Sequence, residues 1–227
     1  MGAKSHKRLP SNQSALVQYF RTRNKKQQQL VNLIENNEVI IARGVPGSGK
    51  TYVALATALN LLGDTFKKII LVKSVTTLPG EETGFLPGGI GQKMEPFIMS
   101  YTWNIDKICG EGAAKSLMEK KLIQVLPLAF VRGLSIDNSI VIIDEAQNID
   151  NHTFKTIMTR IGEDSKYIFL GDSEQIDRKY KNESCLNTIM DLFSNSGLVA
   201  TIEFTDEDCV RNPIIPKILS VLRDNNI

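Results

Sequence analysis

The chain has 227 residues, of which 42% are hydrophobic and 23% charged, and its net charge is +2. This length fits one α/β domain with its own core, and the composition excludes collagen-like, low-complexity and disordered proteins. No apolar run approaches the ~20 residues that a membrane-spanning helix needs, and no signal peptide is recognisable. The three scattered cysteines follow no metal-ligand spacing. We therefore predict reduced thiols and a cytoplasmic protein without a membrane partner.

The first part of the chain is basic, since no acidic residue precedes Glu35. We predict a tail over residues 1–20 and a single domain over residues 21–227. A solvated tail is the first interpretation of these positive charges. An arm that contacts nucleic-acid phosphates is the alternative.

Short apolar runs then alternate with segments of helical periodicity. The predicted helices are 25–36, 51–62, 94–108, 113–120, 153–161 and a C-terminal helix with apolar residues from 215 to 222. The predicted strands are 39–42, 69–72, 122–125, 140–143, 167–170 and 199–204. This alternation predicts an α/β fold with a mostly parallel sheet and helices on both faces. Ligands of such sheets bind beyond the carboxyl ends of the strands.

A glycine-rich segment between the first strand and the second helix matches the P-loop pattern GxxxxGK[ST]. Its residues are Gly44, Val45, Pro46, Gly47, Ser48, Gly49, Lys50 and Thr51. The glycines let successive backbone N–H groups point at phosphate oxygens, and the following helix adds its positive end. We predict that Lys50 binds the β- and γ-phosphates and that the Thr51 hydroxyl binds Mg²⁺. Tyr52, directly after the P-loop, completes the predicted nucleotide-binding set.

A second acidic motif follows the apolar strand 140–143, where Asp144 and Glu145 are adjacent. We predict that this strand lies next to the P-loop strand. Asp144 would then hold Mg²⁺ through a water molecule and together with Thr51, and Glu145 would orient or deprotonate the attacking water. The guanine-reading NKxD motif does not follow the P-loop, so ATP is the expected nucleotide.

Several further motifs resemble those of the PhoH-like family of P-loop ATPases, which are RecA-like and related to superfamily-one helicase cores. GFLPG lies at 84–88, PLAFxRG at 127–133, DEAQN at 144–148, TRIG at 159–162 and GDxxQID at 171–177. The resemblance covers the chain from about residue 21 to the end. Some relatives carry an RNA-binding or ribonuclease domain. Because roughly twenty residues precede this core, we expect neither domain here.

The resemblance implies roles for four more side chains. Gln175 would sense the γ-phosphate, and Gln147 would couple hydrolysis to the rest of the domain. Gln27 would read the adenine edge, as a side-chain amide does in DNA. Arg211 would stabilise the transition-state phosphoryl group, in its own subunit or in a neighbouring one.

Other residues keep two interpretations. Arg132 and Arg160 would serve the same end as Arg211 or contact nucleic acid. Trp103, with Tyr101 and Phe97, is expected to pack in the core, and base stacking is the alternative.

The leading hypothesis is a Mg²⁺-dependent ATPase that binds or remodels single-stranded nucleic acid, RNA more than DNA, as a homo-oligomer with a hexameric ring favoured. The first alternative is a slow ATP-binding switch or scaffold. The second is a small-molecule kinase, although no arginine-rich lid is recognisable.

Overall fold

In the computed structural model, which describes residues 16–63, 65–74, 90–131, 135–172, 185–194, 196–212 and 214–225, the strands form one sheet. The strands are β1 (Val39–Gly44), β2 (Lys68–Lys73), β3 (Ile123–Pro127), β4 (Ser139–Asp144), β5 (Lys166–Gly171) and β6 (Ala200–Phe204). Their order is β3-β2-β4-β5-β1-β6, and every pair in it is parallel. The predicted α/β class is confirmed.

The helices follow the predicted order with a few differences. They are α1 (Lys25–Asn36), α2 (Lys50–Leu61), α3 (Ile90–Cys109), α4 (Ala113–Glu119), α5 (Leu128–Val131), α6 (Asn151–Met158), α7 (Leu186–Phe193) and α8 (Ile214–Asp224). The short α5 and α7 were not predicted. Helix α6 ends three residues before the predicted limit at 161, because Ile161 instead forms a bridge with Ile136. No helix in the described ranges is both long and apolar enough to cross a bilayer.

Alternating side chains of the central strands bury two separate apolar clusters, one on each face of the sheet. On β1, Ile40 and Ala42 join the cluster covered by α1 to α4, whereas Val39 and Ile41 join the cluster covered by α6 and α7. Strands that are buried on both faces appear in the sequence as continuous apolar runs, and these runs located the central strands. The predicted covering of both faces by helices is therefore confirmed.

The segment 16–20, predicted as part of the tail, contacts the domain. Leu16, Val17 and Phe20 pack against the cluster under α1 to α4. The backbone N–H groups of Gln18 and Tyr19 both donate to the carbonyl of Ile108, at 3.0 Å each, near the end of α3. Residues 16–20, which precede the predicted boundary, thus contact the domain.

The sheet order corrects one expectation about the acidic strand. We predicted that β4 lies next to the P-loop strand β1, but β5 lies between them. All three strands end at the same edge because they are parallel. Asp144 is therefore one strand spacing further from the P-loop than predicted, yet at the same edge.

The apolar face of α8 is only half covered in the described part of the chain. Ile215 and Leu219 are half-buried, whereas Ile218 is 49% exposed and Leu222 36%. The three-and-four spacing predicted the helix correctly without fixing how much of its apolar face is buried.

A buried lysine at the start of β5 generates a prediction about stability and pH. Burial lowers the pKa of Lys166 to about 8, and the charges of Glu38 and Glu35 oppose this shift. The Lys166 Nζ donates to the carbonyl of Asn37. Between pH 8 and the unfolded value of 10.5, the unfolded chain binds more protons than the folded one, so stability should rise with pH through that window.

We expect the free energy of unfolding of the wild type to gain on the order of 2 kcal/mol relative to Lys166→Met between about pH 7 and about pH 9.5. Urea denaturation of both proteins at the two pH values measures this difference. A constant difference between the proteins would show that Lys166 has an ordinary pKa in the folded state.

Candidate nucleotide-binding site

The P-loop connects β1 to α2 through backbone conformations that favour glycine. Gly44, Gly47 and Gly49 have φ values of 137°, 82° and 84°. At Gly44 a Cβ atom would lie 2.0 Å from the carbonyl oxygen of Phe204, so no side chain fits beside β6. The sequence pattern therefore has a steric cause, and α2 begins at Lys50 with its N–H groups at the C-terminal edge of the sheet.

Gln27 supports this loop from the side of α1. Its Nε2 donates to the Ser48 carbonyl at 2.8 Å, and its Oε1 accepts from the Arg23 N–H at 2.8 Å. The side chain is only 3% exposed, and Asn24 caps α1 by accepting from the Gln27 N–H. The structure thus places Gln27 against the P-loop backbone. Its role in adenine recognition stays a prediction.

The segment after β6 also supports the loop. The Val210 N–H donates to the Gly47 carbonyl at 3.0 Å. Arg23 Nη1 donates to the Val210 carbonyl at 2.7 Å, and Asn24 Nδ2 to the Asp208 carbonyl at 3.1 Å. Residues far apart in sequence therefore meet around the P-loop, and we call residues 23–27 and 208–211 the two braces.

The Lys50 side chain lies inside the loop. Its Nζ donates to the carbonyls of Gly44 at 2.6 Å and Val45 at 2.9 Å, and contacts Ser48 Oγ at 3.3 Å. Burial lowers its pKa, while the carboxylates of Asp172, Asp144 and Glu145 act in the opposite direction. A cation held by neutral carbonyls in a half-buried loop is able to exchange them for the oxygens of an anion.

Thr51 and Asp144 meet as the sequence predicts. Thr51 Oγ1 donates to Asp144 Oδ1 at 3.2 Å, and the Glu145 N–H donates to the same oxygen at 3.2 Å. Burial, followed by the charge of Glu145, raises the pKa of Asp144. A hydroxyl and a carboxylate are hard oxygen donors of the kind that Mg²⁺ prefers, so this pair fits the predicted cation.

Glu145 is held in a strained conformation directly after β4. Its φ is 57°, a left-handed backbone conformation that is uncommon for residues other than glycine and that clusters at functional sites. Gln147 Nε2 donates to Glu145 Oε2 at 2.6 Å, and Gln147 Oε1 accepts from the Asp172 N–H at 3.0 Å. The amide of Gln147 thus ties the carboxylate to the end of β5. Lys73 Nζ lies 4.0 Å from Glu145 Oε1 on the other side.

The sequence predicted that the aromatic residues of α3 pack together in the core, but the structure separates Tyr101 from Trp103. Tyr101 is buried, but its hydroxyl donates to Asp144 Oδ2 at 3.3 Å. Trp103 is 65% exposed, so core packing is wrong for it, and Lys107 Nζ lies 4.7 Å from its ring centre. The side chain of Phe97 lies outside the described residues. The Tyr101 contact was missed because a helical pattern shows a buried face but not what a hydroxyl on that face reaches.

Tyr52 lies on the first turn of α2 and is half-buried. Its ring centre is 6.0 Å from that of Phe20 and 5.8 Å from Lys107 Nζ. Burial raises the pKa of Tyr52, followed by a contribution from Cys109. The predicted contact of Tyr52 with a nucleotide stays a prediction.

The predicted arginines lie in different places. Arg211 is exposed and lies beside the P-loop of its own chain, since a Cβ atom on Gly47 would be 3.1 Å from Arg211 Cδ. Arg160 lies near the opposite edge of the sheet, because its carbonyl accepts from Tyr167 at the start of β5. A role of Arg160 at the phosphates is therefore not supported. Gln175 and Arg132 lie outside the described residues.

The brace formed by Gln27 generates a prediction with a matched control. Gly49 and Gly112 both cap the N-terminus of a helix, with φ values of 84° and 79°. A Cβ on Gly49 would lie 2.7 Å from Gln27 Nε2, whereas a Cβ on Gly112 meets nothing within 4 Å. Gly112→Ala should lose about 1 kcal/mol from backbone strain alone. Gly49→Ala should lose about 1 kcal/mol more, because the Gln27–Ser48 hydrogen bond is displaced.

Urea denaturation of the two variants and the wild type measures both losses. Equal losses in Gly49→Ala and Gly112→Ala would show that Gln27 does not support the loop.

Comparisons with known proteins show the family of the chain. Residues 19–223 match the family described as PhoH-like protein. The chain is 33% identical over 208 residues to the PhoH-like protein of Bacillus subtilis, covering 91% of this chain and 65% of that protein. It is 30% identical over 199 residues to Protein PhoH of Escherichia coli, covering 87% of this chain and 56% of that protein. The chain thus spans less than two thirds of the length of these relatives.

Among solved structures, the large terminase of a thermophilic bacteriophage superimposes with a TM-score of 0.51 at 11% identity. The match covers 83% of this chain and 47% of the terminase. At this identity the likeness concerns the fold alone, and it agrees with the P-loop α/β architecture described above.

Proposed function

Because the chain belongs to the PhoH-like protein family, we propose that it binds ATP at the P-loop and hydrolyses it with the help of Mg²⁺. The observation that carries this proposal is the meeting of three groups at one edge of the sheet. These are the Lys50 ammonium inside the P-loop, the Thr51–Asp144 pair, and the Glu145 carboxylate. Phosphate binding, cation binding and water activation each have a matching group there.

The first step of the proposed mechanism is phosphate binding. The P-loop N–H groups and the N-terminus of α2 offer donors and positive potential to the phosphates. Lys50 exchanges the carbonyls of Gly44 and Val45 for phosphate oxygens, which are stronger acceptors because they are charged. Thr51 and Asp144 would hold Mg²⁺, which neutralises charge on the phosphates when it is bound.

The second step is attack by water, for which Glu145 is the proposed base. The water oxygen bonds to the γ-phosphorus as the bond from that phosphorus to the β-phosphate oxygen breaks, and ADP leaves. The carboxylate accepts a proton from a water molecule or orients it toward the γ-phosphate. The hydrogen bond from Gln147 at 2.6 Å fixes one carboxylate oxygen and leaves Oε1 toward Lys73. Fixed orientation matters because a base must lie within hydrogen-bond reach of the proton that it accepts.

Phosphate release from ATP in the presence of Mg²⁺ tests this proposal. Glu145→Gln has nearly the same shape but cannot accept the proton, so kcat should fall by about 100-fold or more. ATP affinity, measured by calorimetry, should stay close to that of the wild type. Equal phosphate release by both proteins would indicate a contaminating activity or a different base. Tight binding without release by the wild type would favour the alternative, a slow ATP-binding switch or scaffold.

We further propose that hydrolysis is coupled to single-stranded nucleic acid, RNA more than DNA. The support comes from exposed basic side chains in the first described segment, Arg21, Arg23 and Lys25, and from the exposed ring of Trp103. Cations contact phosphates without regard to sequence, and an exposed indole is able to stack on a base.

The cytoplasmic location predicted from the cysteines stays a prediction.

Single-stranded RNA should therefore increase the rate of phosphate release, and the increase should shrink as the salt concentration rises. The measurement uses the wild type with RNA, with single-stranded DNA and without nucleic acid, at two salt concentrations. A rate that neither nucleic acid changes would contradict the coupling while leaving the ATPase proposal intact. A phosphorylated small-molecule product would instead establish the kinase alternative.

The position of Arg211 supports a role in its own subunit. Its side chain lies beside Gly47 of the same chain, and its charge is close enough to contribute to lowering the pKa of Lys50. A homo-oligomer, with a hexameric ring favoured, remains part of the hypothesis. When Arg211 acts in its own subunit, the site of that subunit does not require an arginine from a neighbouring subunit.

Arg211→Ala should lower kcat by roughly 10³-fold if the guanidinium stabilises the transition state. Mixing this variant with Lys50→Ala distinguishes the two arrangements. Action within one subunit predicts no recovery of activity in the mixture. Recovery would show that Arg211 completes the site of a neighbouring subunit.

A further inference from the structure

The Asp144 carboxylate is held at both oxygens by groups from different parts of the fold. Oδ1 accepts from Thr51 Oγ1 and from the Glu145 N–H, both at 3.2 Å. Oδ2 accepts from the hydroxyl of Tyr101 at 3.3 Å. Thr51 and Glu145 belong to the motifs that already define the site. Tyr101 comes from the middle of α3, outside both motifs.

The surroundings of Tyr101 show that its hydroxyl is the part that needs explanation. The side chain is 1% exposed and lies in the apolar cluster under α1 to α4, together with Ile105 and Ile108 of the same helix. A phenylalanine ring would fill the same volume. A phenol hydroxyl buried there costs free energy unless it has a partner, and the partner it reaches is Asp144.

A hydrogen bond to Oδ2 determines the rotation of the carboxylate about its last torsion angle. That torsion is broad in aspartate, so the orientation depends on the donors around it. With Oδ2 held by Tyr101, Oδ1 is directed at Thr51, where the cation of the proposed reaction would bind. Groups that orient a metal ligand in this way typically change metal affinity by about 10–100-fold when they are removed.

We infer that Tyr101 is a positioning residue, which directs the Asp144 carboxylate toward the Mg²⁺ site through its buried hydroxyl. This inference rests on the proposed function, because it concerns the cation of that reaction. Through Tyr101, helix α3 contacts the site directly, although this helix residue belongs to none of the sequence motifs.

Tyr101→Phe removes the hydroxyl and keeps the ring. Tyr167→Phe is a matched control, because Tyr167 is also fully buried and its hydroxyl donates to the Arg160 carbonyl at 3.2 Å, near the opposite edge of the sheet. ATP binding to the wild type and both variants is measured by calorimetry in EDTA and over a series of Mg²⁺ concentrations. The Glu145→Gln background prevents hydrolysis during the titration.

We expect the Mg²⁺ concentration for half-maximal enhancement of ATP binding to rise about tenfold in Tyr101→Phe. Affinity in EDTA should stay unchanged, and Tyr167→Phe should match the parent protein in both conditions. An unchanged Mg²⁺ dependence in Tyr101→Phe would overturn the inference. So would an equal loss of affinity with and without Mg²⁺, because that result indicates general damage to the site. A parent protein that binds no ATP in either condition would overturn the proposed function itself.

Discussion

The conformation of the P-loop is the constraint on which the rest of the site depends. Three glycines with positive φ values bring the chain from β1 to α2, and at Gly44 the backbone of β6 leaves no space for a side chain. A loop of this kind would be costly to order on its own, because glycine loses much conformational freedom on folding. Hydrogen bonds from the two braces offset part of this loss of entropy. Gln27 binds the Ser48 carbonyl and Val210 binds the Gly47 carbonyl.

The braces also join two segments that are far apart in sequence. Arg23 and Asn24 donate to the segment after β6, so α1 and the residues following the last strand are joined across the P-loop. A nucleotide that changes the loop would act on both segments at once. Arg211 follows Val210 directly, and its side chain lies beside Gly47 of the same loop.

Electrostatics at the edge of the sheet favour an arriving anion accompanied by a cation. Burial disfavours the charged form of Lys50, whereas Asp144, Glu145 and Asp172 favour it. Asp144 is disfavoured as a carboxylate by burial and by Glu145. Phosphate oxygens would offset the cost of burying the charge of Lys50, and Mg²⁺ would offset that of Asp144. The two ligands together therefore match the site better than either alone.

The sequence predicted the parts of the fold that arise from local pattern. Continuous apolar runs located the four inner strands because these are buried on both faces, whereas the edge strands β3 and β6 are only partly buried and include polar residues. The P-loop pattern is specific because its glycines have a steric cause. Local sequence patterns did not predict which distant segments pair. Strand β5 lies between β1 and β4, and no local signal reports that order. No local signal predicts the contact of the Gln27 amide with the Ser48 carbonyl either, and the role of Gln27 in adenine recognition stays a prediction.

Side-chain directions on helices were the other limit. Periodicity placed Tyr101 and Trp103 on one apolar helix without separating them, although they lie two residues apart and therefore point in different directions. One reaches Asp144 and the other is exposed. A tyrosine in place of phenylalanine on a buried face is the one signal that would have indicated a polar partner.

The most direct test of this account is the crystal structure of Glu145→Gln with ATP and Mg²⁺. We predict phosphates on the P-loop N–H groups, with Lys50 Nζ moved from the carbonyls of Gly44 and Val45 to phosphate oxygens. Thr51 and Asp144 should both face the cation from neighbouring positions. A nucleotide bound elsewhere, or a Lys50 that still donates to those carbonyls with ATP present, would contradict the proposed site.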